Sequence, residues 1–122
     1  MAESAEHKAL VRGMVGWLQK QGVAVTNAAG GMALPDPVAI GTHEPDAIGK
    51  KDAVLWIGEA KVGTDLYTEH SQEQLREFSR RQMSDTGRPC PFILCVPKGW
   101  TQRARQAVVA AGGNTQNLTV IA

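Results

Sequence analysis

The stretch Ala53-Val54-Leu55-Trp56-Ile57-Gly58-Glu59-Ala60-Lys61-Val62 decides how this chain folds. Its apolar run has strand length and is rich in residues that favour strands. Alternation puts Leu55 and Ile57 on one face and Val54 and Trp56 on the other. A strand apolar on both faces is a central strand, covered on each side by helices or loops. The same alternation puts Glu59 and Lys61 on one face, roughly 6.6 Å apart along the strand. Ala60 points the other way, with its carbonyl close to the pair.

The rest of the chain is read outward from that strand. Asp46-Ala47-Ile48-Gly49 is a short strand joined to it by a turn at Lys50-Lys51-Asp52. Upstream, Val23-Ala24-Val25-Thr26 is a first strand, and residues 3–21 form a helix with Leu10, Met14, Trp17 and Leu18 on its apolar face. Gly22 stops that helix. Residues 27–42 hold Gly30-Gly31 and Pro35-Asp36-Pro37 and read as a mobile loop, extended over Pro37–Ile40. A loop this long in a compact domain is often functional.

Downstream, residues 66–83 read as a helix with Leu75, Phe78 and Met83 inward. Ser71 and Gln74 either cap it internally or sit on its surface. Pro91–Val96 is a strand, Thr101 an N-cap for a helix ending at Gly112-Gly113, and Leu118–Ile121 a last strand. The order is α-β-β-β-α-β-α-β. A hairpin followed by right-handed crossovers gives an α/β fold with a mixed sheet flanked by helices.

At 122 residues, 43% hydrophobic and 20% charged, the chain is one ordinary globular domain spanning 1–122. A formal net charge of +1 excludes a polycation, so an anionic ligand must meet a local basic patch. Cys90 and Cys95 would point to opposite faces of a strand, which excludes a disulfide between them and fits a reducing compartment. No Cys/His spacing suggests zinc. Residues 1–6 are polar and acidic, unlike a signal peptide, and no apolar run reaches membrane-spanning length, so the expected location is cytoplasmic.

Asp46 follows Pro45 and enters the strand that pairs with the central one, so Asp46, Glu59 and Lys61 converge at one end of the sheet. Hard cations such as Mg²⁺ take carboxylate and carbonyl oxygens, here those of Asp46, Glu59 and Ala60. Lys61 would orient or deprotonate an attacking water, or neutralise charge developing on a phosphate. Glu6, four residues before Leu10, is read on the inward face of the first helix, where a lone buried carboxylate needs a reason. It is therefore expected to supply or support a metal ligand.

With those residues in place, the chain resembles the PD-(D/E)xK nuclease superfamily, whose fold is restriction-endonuclease-like. Pro45-Asp46 is similar to its PD element and Glu59-Ala60-Lys61 to its ExK element. The resemblance is nearest to small archaeal Holliday-junction-resolvase-type endonucleases. It extends to Glu6-His7-Lys8-Ala9-Leu10-Val11, to the glutamine-bearing segment Gln72-Glu73-Gln74-Leu75-Arg76-Glu77-Phe78, and to Gly87-Arg88-Pro89 before a strand. It implies a Mg²⁺-dependent DNA endonuclease, with Mn²⁺ as an expected substitute, often a homodimer. Branched or junction DNA is the implied substrate, although the glycine-rich loop lacks the basic residues the family often places there.

Other readings stand beside this one. Pro35-Asp36 is a turn signal that competes for the PD role. Glu3 and His70 are read as solvated. His43 reads as a surface loop histidine near enough to Asp46 to assist, and Gln74 stands between site and surface. Arg76, Arg80, Arg81, Arg88, Lys98, Arg103 and Arg105 form either a phosphate-tracking surface or an ordinary solvated face. Trp100 is read as packing. The alternative function is a nuclease-fold DNA-binding or assembly module that holds no metal.

Overall fold

The computed structural model describes residues 4–122, so Glu3 and the expected start of the first helix at residue 3 lie outside the described residues. Five strands form one sheet in the order β1(Ala24–Ala28), β2(Ala47–Lys51), β3(Val54–Ala60), β4(Phe92–Cys95), β5(Leu118–Ile121). The β1–β2 and β2–β3 pairs are antiparallel, and β3–β4 and β4–β5 are parallel. Three helices cover it: α1(Ala5–Lys20), α2(Glu69–Arg80) and α3(Thr101–Ala110). The α/β class, the element order and the central position of β3 all agree with the sequence reading.

The two faces of β3 feed two separate cores. Ile57 joins Leu75, Phe78, Phe92, Leu94 and Val108 under α2 and α3, with Leu55 packed against them. Ala60 joins Val11, Met14, Val15, Leu18, Ile93 and Cys95 under α1, with Trp56 against that set. Cys90 and Cys95 are buried free thiols in different cores. Gly58 lets α1 approach: a Cβ there would meet Met14 Sδ at 2.9 Å. That close contact lies beside Glu59 and Ala60 and brings the start of α1 toward the end of β3.

Several boundaries differ from the expected ones. The β2–β3 ladder runs to Lys51↔Val54, which leaves only Asp52 and Ala53 for the turn, at φ 51° and 65°. Two-residue hairpin turns of positive φ match the twist of their strands, and pairing prevailed over the Lys-Lys-Asp turn signal. The expected helix 66–83 is split. Gly63–Tyr67 is a 3₁₀ turn, and Thr68 then caps α2 by accepting from the Ser71 N–H, so Ser71 is not the cap. Thr101 is the first residue of α3 rather than its N-cap. Strand β1 extends to Ala28, past the expected end at Thr26, and the rest of the 27–42 loop carries no regular strand but is tied down: Ala28 N–H donates to Pro35 O, and Ala29 N–H to Asp46 O. No described helix is long and apolar enough to cross a membrane.

Candidate functional site

The β2–β3 ladder pairs Ala47 with Gly58, so its next step sets Asp46 beside Glu59. The Asp46 N–H donates to Glu59 Oε1 at 3.1 Å, and Asp46 Oδ2 accepts from the Ala60 N–H at 2.9 Å. Lys61 Nζ lies 3.3 Å from Glu59 Oε2 and donates to Gln74 Oε1 on α2. Gln74 is buried and therefore belongs to this group rather than to the surface. Asp46, Glu59, Ala60, Lys61 and Gln74 thus meet at one end of the sheet.

Glu6 does not join them: it is exposed. The buried stripe of α1 is Val11, Met14, Val15 and Leu18; it keeps Met14 and Leu18 of the expected stripe but takes Val11 and Val15 in place of Leu10 and Trp17. Leu10 and Trp17 are only half-buried. One residue is about 100° of helix rotation. Stepping back four from Val11 reaches His7, whereas stepping back four from Leu10 reaches Glu6. His7 Nε2 lies 3.1 Å from Asp46 Oδ2 and 3.2 Å from Ala60 O. Both partners are oxygen acceptors, so Nε2 carries a proton and donates. The neighbour one position past the singled-out acid was the signal that sequence reasoning missed.

Electrostatics separate the two carboxyl groups. Burial pushes Asp46 upward, but hydrogen bonds involving His7, Glu59 and the Ala60 N–H outweigh it and hold the group below its ordinary value. Burial pushes Glu59 well up, and the Asp46 charge adds to that; Lys61 acts in the opposite sense without cancelling it. Two close carboxyl groups cannot both ionise cheaply, so of the pair Glu59 holds its proton to the higher pH. Burying a carboxyl group against a lysine contributes little to stability compared with apolar packing, so folding alone gives no reason to place Glu59 and Lys61 here.

Two carboxylates and a carbonyl are the hard oxygen donors that Mg²⁺ takes, and the His7 N–H already bridges two of them, Asp46 Oδ2 and Ala60 O. The residues therefore fit a small cation, with the imidazole N–H now donating where positive charge is wanted.

His43 takes a different direction. Its Nδ1 lies 2.9 Å from Glu77 Oε1 and its Nε2 3.6 Å from Glu73 Oε2, both on α2. His70 is exposed but stands edge-on to the His43 ring, with centroids 4.9 Å apart. Trp100 packs, as expected, against Tyr67 and beneath Arg103, whose guanidinium sits 4.6 Å from the indole. Arg76, Arg80, Arg81, Arg88, Lys98, Arg103 and Arg105 are all exposed.

The fold and site define an α/β protein with a five-stranded mixed sheet and a buried carboxylate–lysine group at the end of its central hairpin. Comparison with protein-family models, curated proteins and solved structures found no match for this chain.

Proposed function

We propose that the chain is a restriction-endonuclease-like, Mg²⁺-dependent endonuclease that hydrolyses DNA phosphodiester bonds, acting as a homodimer on branched or junction DNA. The observation that carries this reading is the convergence of Asp46, Glu59, the Ala60 carbonyl and Lys61 at one sheet end, with Gln74 on the lysine. Asp46, Glu59 and Ala60 O would hold Mg²⁺ or Mn²⁺, and His7 would release Asp46 Oδ2 and Ala60 O as the ion enters. When bound, the ion polarises a phosphoryl oxygen and lowers the pKa of an attacking water.

The chain's own residues do the remainder. Gln74 and Glu59 hold the Lys61 ammonium at a fixed point, where it offsets charge developing on the phosphate or orients the water. Asp46, kept ionised below its ordinary range, keeps a full negative charge in the site at neutral pH. Incubation with linear, nicked, flap and four-way DNA in Mg²⁺ tests the reading. Cleavage of at least one substrate by wild type, lost in Lys61→Ala, is expected. No cleavage of any of them in Mg²⁺ or Mn²⁺ would overturn it.

One observation favours the module that holds no metal: His7 Nε2 satisfies Asp46 Oδ2 and Ala60 O without a metal. Calorimetric titration of Mn²⁺ into wild type and Asp46→Ala separates the two. Binding to wild type that disappears in Asp46→Ala supports the enzyme, and no binding at millimolar Mn²⁺ supports the module.

A further inference from the structure

A second group of ligating side chains lies where the loop before Asp46 meets α2. His43, His70 and Glu73 each offer one ligand atom, and these atoms all lie within 4.8 Å of one another. The His43 Nε2 to Glu73 Oε2 separation is 3.6 Å. Ligands on a tetrahedral ion with bonds of about 2.0 Å stand roughly 3.3 Å apart, so little movement separates this arrangement from a closed one. His70 and Glu73 are three apart on α2 and share a helix face. His43 reaches them from a tight turn closed by the Ile40–His43 bridge.

The orientation of His43 is set from behind. Glu77 accepts from His43 Nδ1 at 2.9 Å, from the Thr42 N–H at 2.8 Å and from the Thr42 hydroxyl at 3.0 Å. With the Thr42 N–H and hydroxyl also donating to it, the Glu77 carboxylate is the acceptor from Nδ1, and Nε2 is the ring nitrogen that faces Glu73. A carboxylate behind a histidine is the arrangement that fixes the tautomer of metal-bound imidazoles and strengthens them as ligands.

We propose that His43, His70 and Glu73 bind one divalent transition-metal ion, Zn²⁺ in preference to Mg²⁺, with Glu77 positioning His43. Two imidazoles select a borderline ion over a hard one. Three protein ligands on an open surface leave a fourth position for water. The bound ion would join the segment leading into Asp46 to α2, the helix that also carries Gln74. The inference does not depend on DNA cleavage, and a catalytically inert chain would bind zinc equally well.

The test is calorimetric titration of chelator-stripped full-length protein with Zn²⁺, with Co²⁺ absorption as a second readout. Wild type is expected to bind one equivalent and to give the visible absorption of a four-coordinate Co²⁺ site. His70→Ala, at an exposed position that folding does not need, should lose at least about tenfold in affinity, and Glu77→Gln about tenfold. Asp46→Ala should bind Zn²⁺ as wild type does. Absence of saturable Zn²⁺ binding overturns the proposal, and so does unchanged binding in His70→Ala. Loss of binding in Asp46→Ala with retention in His70→Ala would place the ion at the carboxylate pair and overturn it equally.

Discussion

Two clusters of ionisable groups, interleaved along the chain, differ in burial, in donor type and in the backbone that holds them. The Asp46–Glu59–Lys61 group sits at a sheet end, offers oxygen donors, and has its charges buried: the Glu59 and Lys61 side chains are 3% and 11% exposed. The His43–His70–Glu73 group sits on a helix surface, offers mostly nitrogen, and has Glu73 at 48% exposure. The first is built on regular backbone, where ladder register and helix packing fix each side chain. The second depends on one loop turn and a carboxylate behind it. A buried oxygen site constrains charge and suits a hard ion near a phosphate, whereas an open imidazole site selects an ion by ligand softness. Adjacent residues of α2 serve the two: Glu73 belongs to one and Gln74 to the other.

The largest effect that would sharpen this contrast is at Lys61. Lys61→Ala should leave the fold intact and lower DNA cleavage by at least about 100-fold, the scale of a lost proton-transfer or charge-stabilising group. Cleavage at wild-type rate would remove the lysine from the chemistry. His7→Ala comes next. Without its N–H, Asp46 loses a charge-assisted hydrogen bond in a mostly buried place, a cost of about 2 kcal/mol in metal-free stability. Mg²⁺ should restore more stability to His7→Ala than it adds to wild type, because the imidazole no longer holds the oxygens. Equal Mg²⁺ effects in thermal melts of both would show that His7 does not compete with the ion.

How far these clusters were legible depends on backbone regularity. Alternation along Val54–Ala60 was enough to place Glu59 with Lys61 and to make β3 central, because a strand buried on both faces admits one register. The helix phase was harder. Leu10 and Val11 are adjacent and both apolar, and choosing Leu10 selected Glu6 where packing selects Val11 and His7. Nothing local distinguishes those phases; the burial of Val11 and Val15 in the core under α1 does, and that is tertiary packing. The second cluster was missed because His43 lies 27 residues before His70 and 30 before Glu73. His43 was read as a surface loop residue, while its real partners lie on α2. The 3₁₀ break before Thr68, unseen in the expected helix 66–83, sets where α2 starts.

Acidity offers the next separation. The folded-state pKa of Glu59 is raised by burial and by Asp46. Below its unfolded pKa the group is protonated in both states and its contribution is fully present. As pH rises from there through the raised folded value, the unfolded chain releases the proton first and stability falls. The slope cannot exceed about 1.4 kcal/mol per pH unit for one proton. Thermal melts in chelator should therefore show wild type losing stability relative to Glu59→Gln as pH climbs from about 5 toward neutrality. Parallel profiles would mean that Glu59 is not the proton-bearing member of the pair.

The smallest effect is one that should touch the second cluster alone. Gly41 has φ 67°, and a Cβ there would stand 2.5 Å from Glu77 Cδ. Gly41→Ala must therefore place alanine in left-handed backbone, at about 1 kcal/mol, and push the Glu77 carboxylate off His43. Glu77 is a flexible side chain and can move, so the fold should survive with a small drop in melting temperature. What is lost is the device that turns His43 Nε2 toward Glu73. Zn²⁺ affinity should fall as it does in Glu77→Gln, while Lys61-dependent cleavage stays within about twofold of wild type, since none of the ladder or helix contacts around Asp46 and Glu59 involves Glu77. A variant that bound Zn²⁺ normally would show that the carboxylate behind His43 is dispensable. One that lost cleavage as well would show that the two clusters act as a single site.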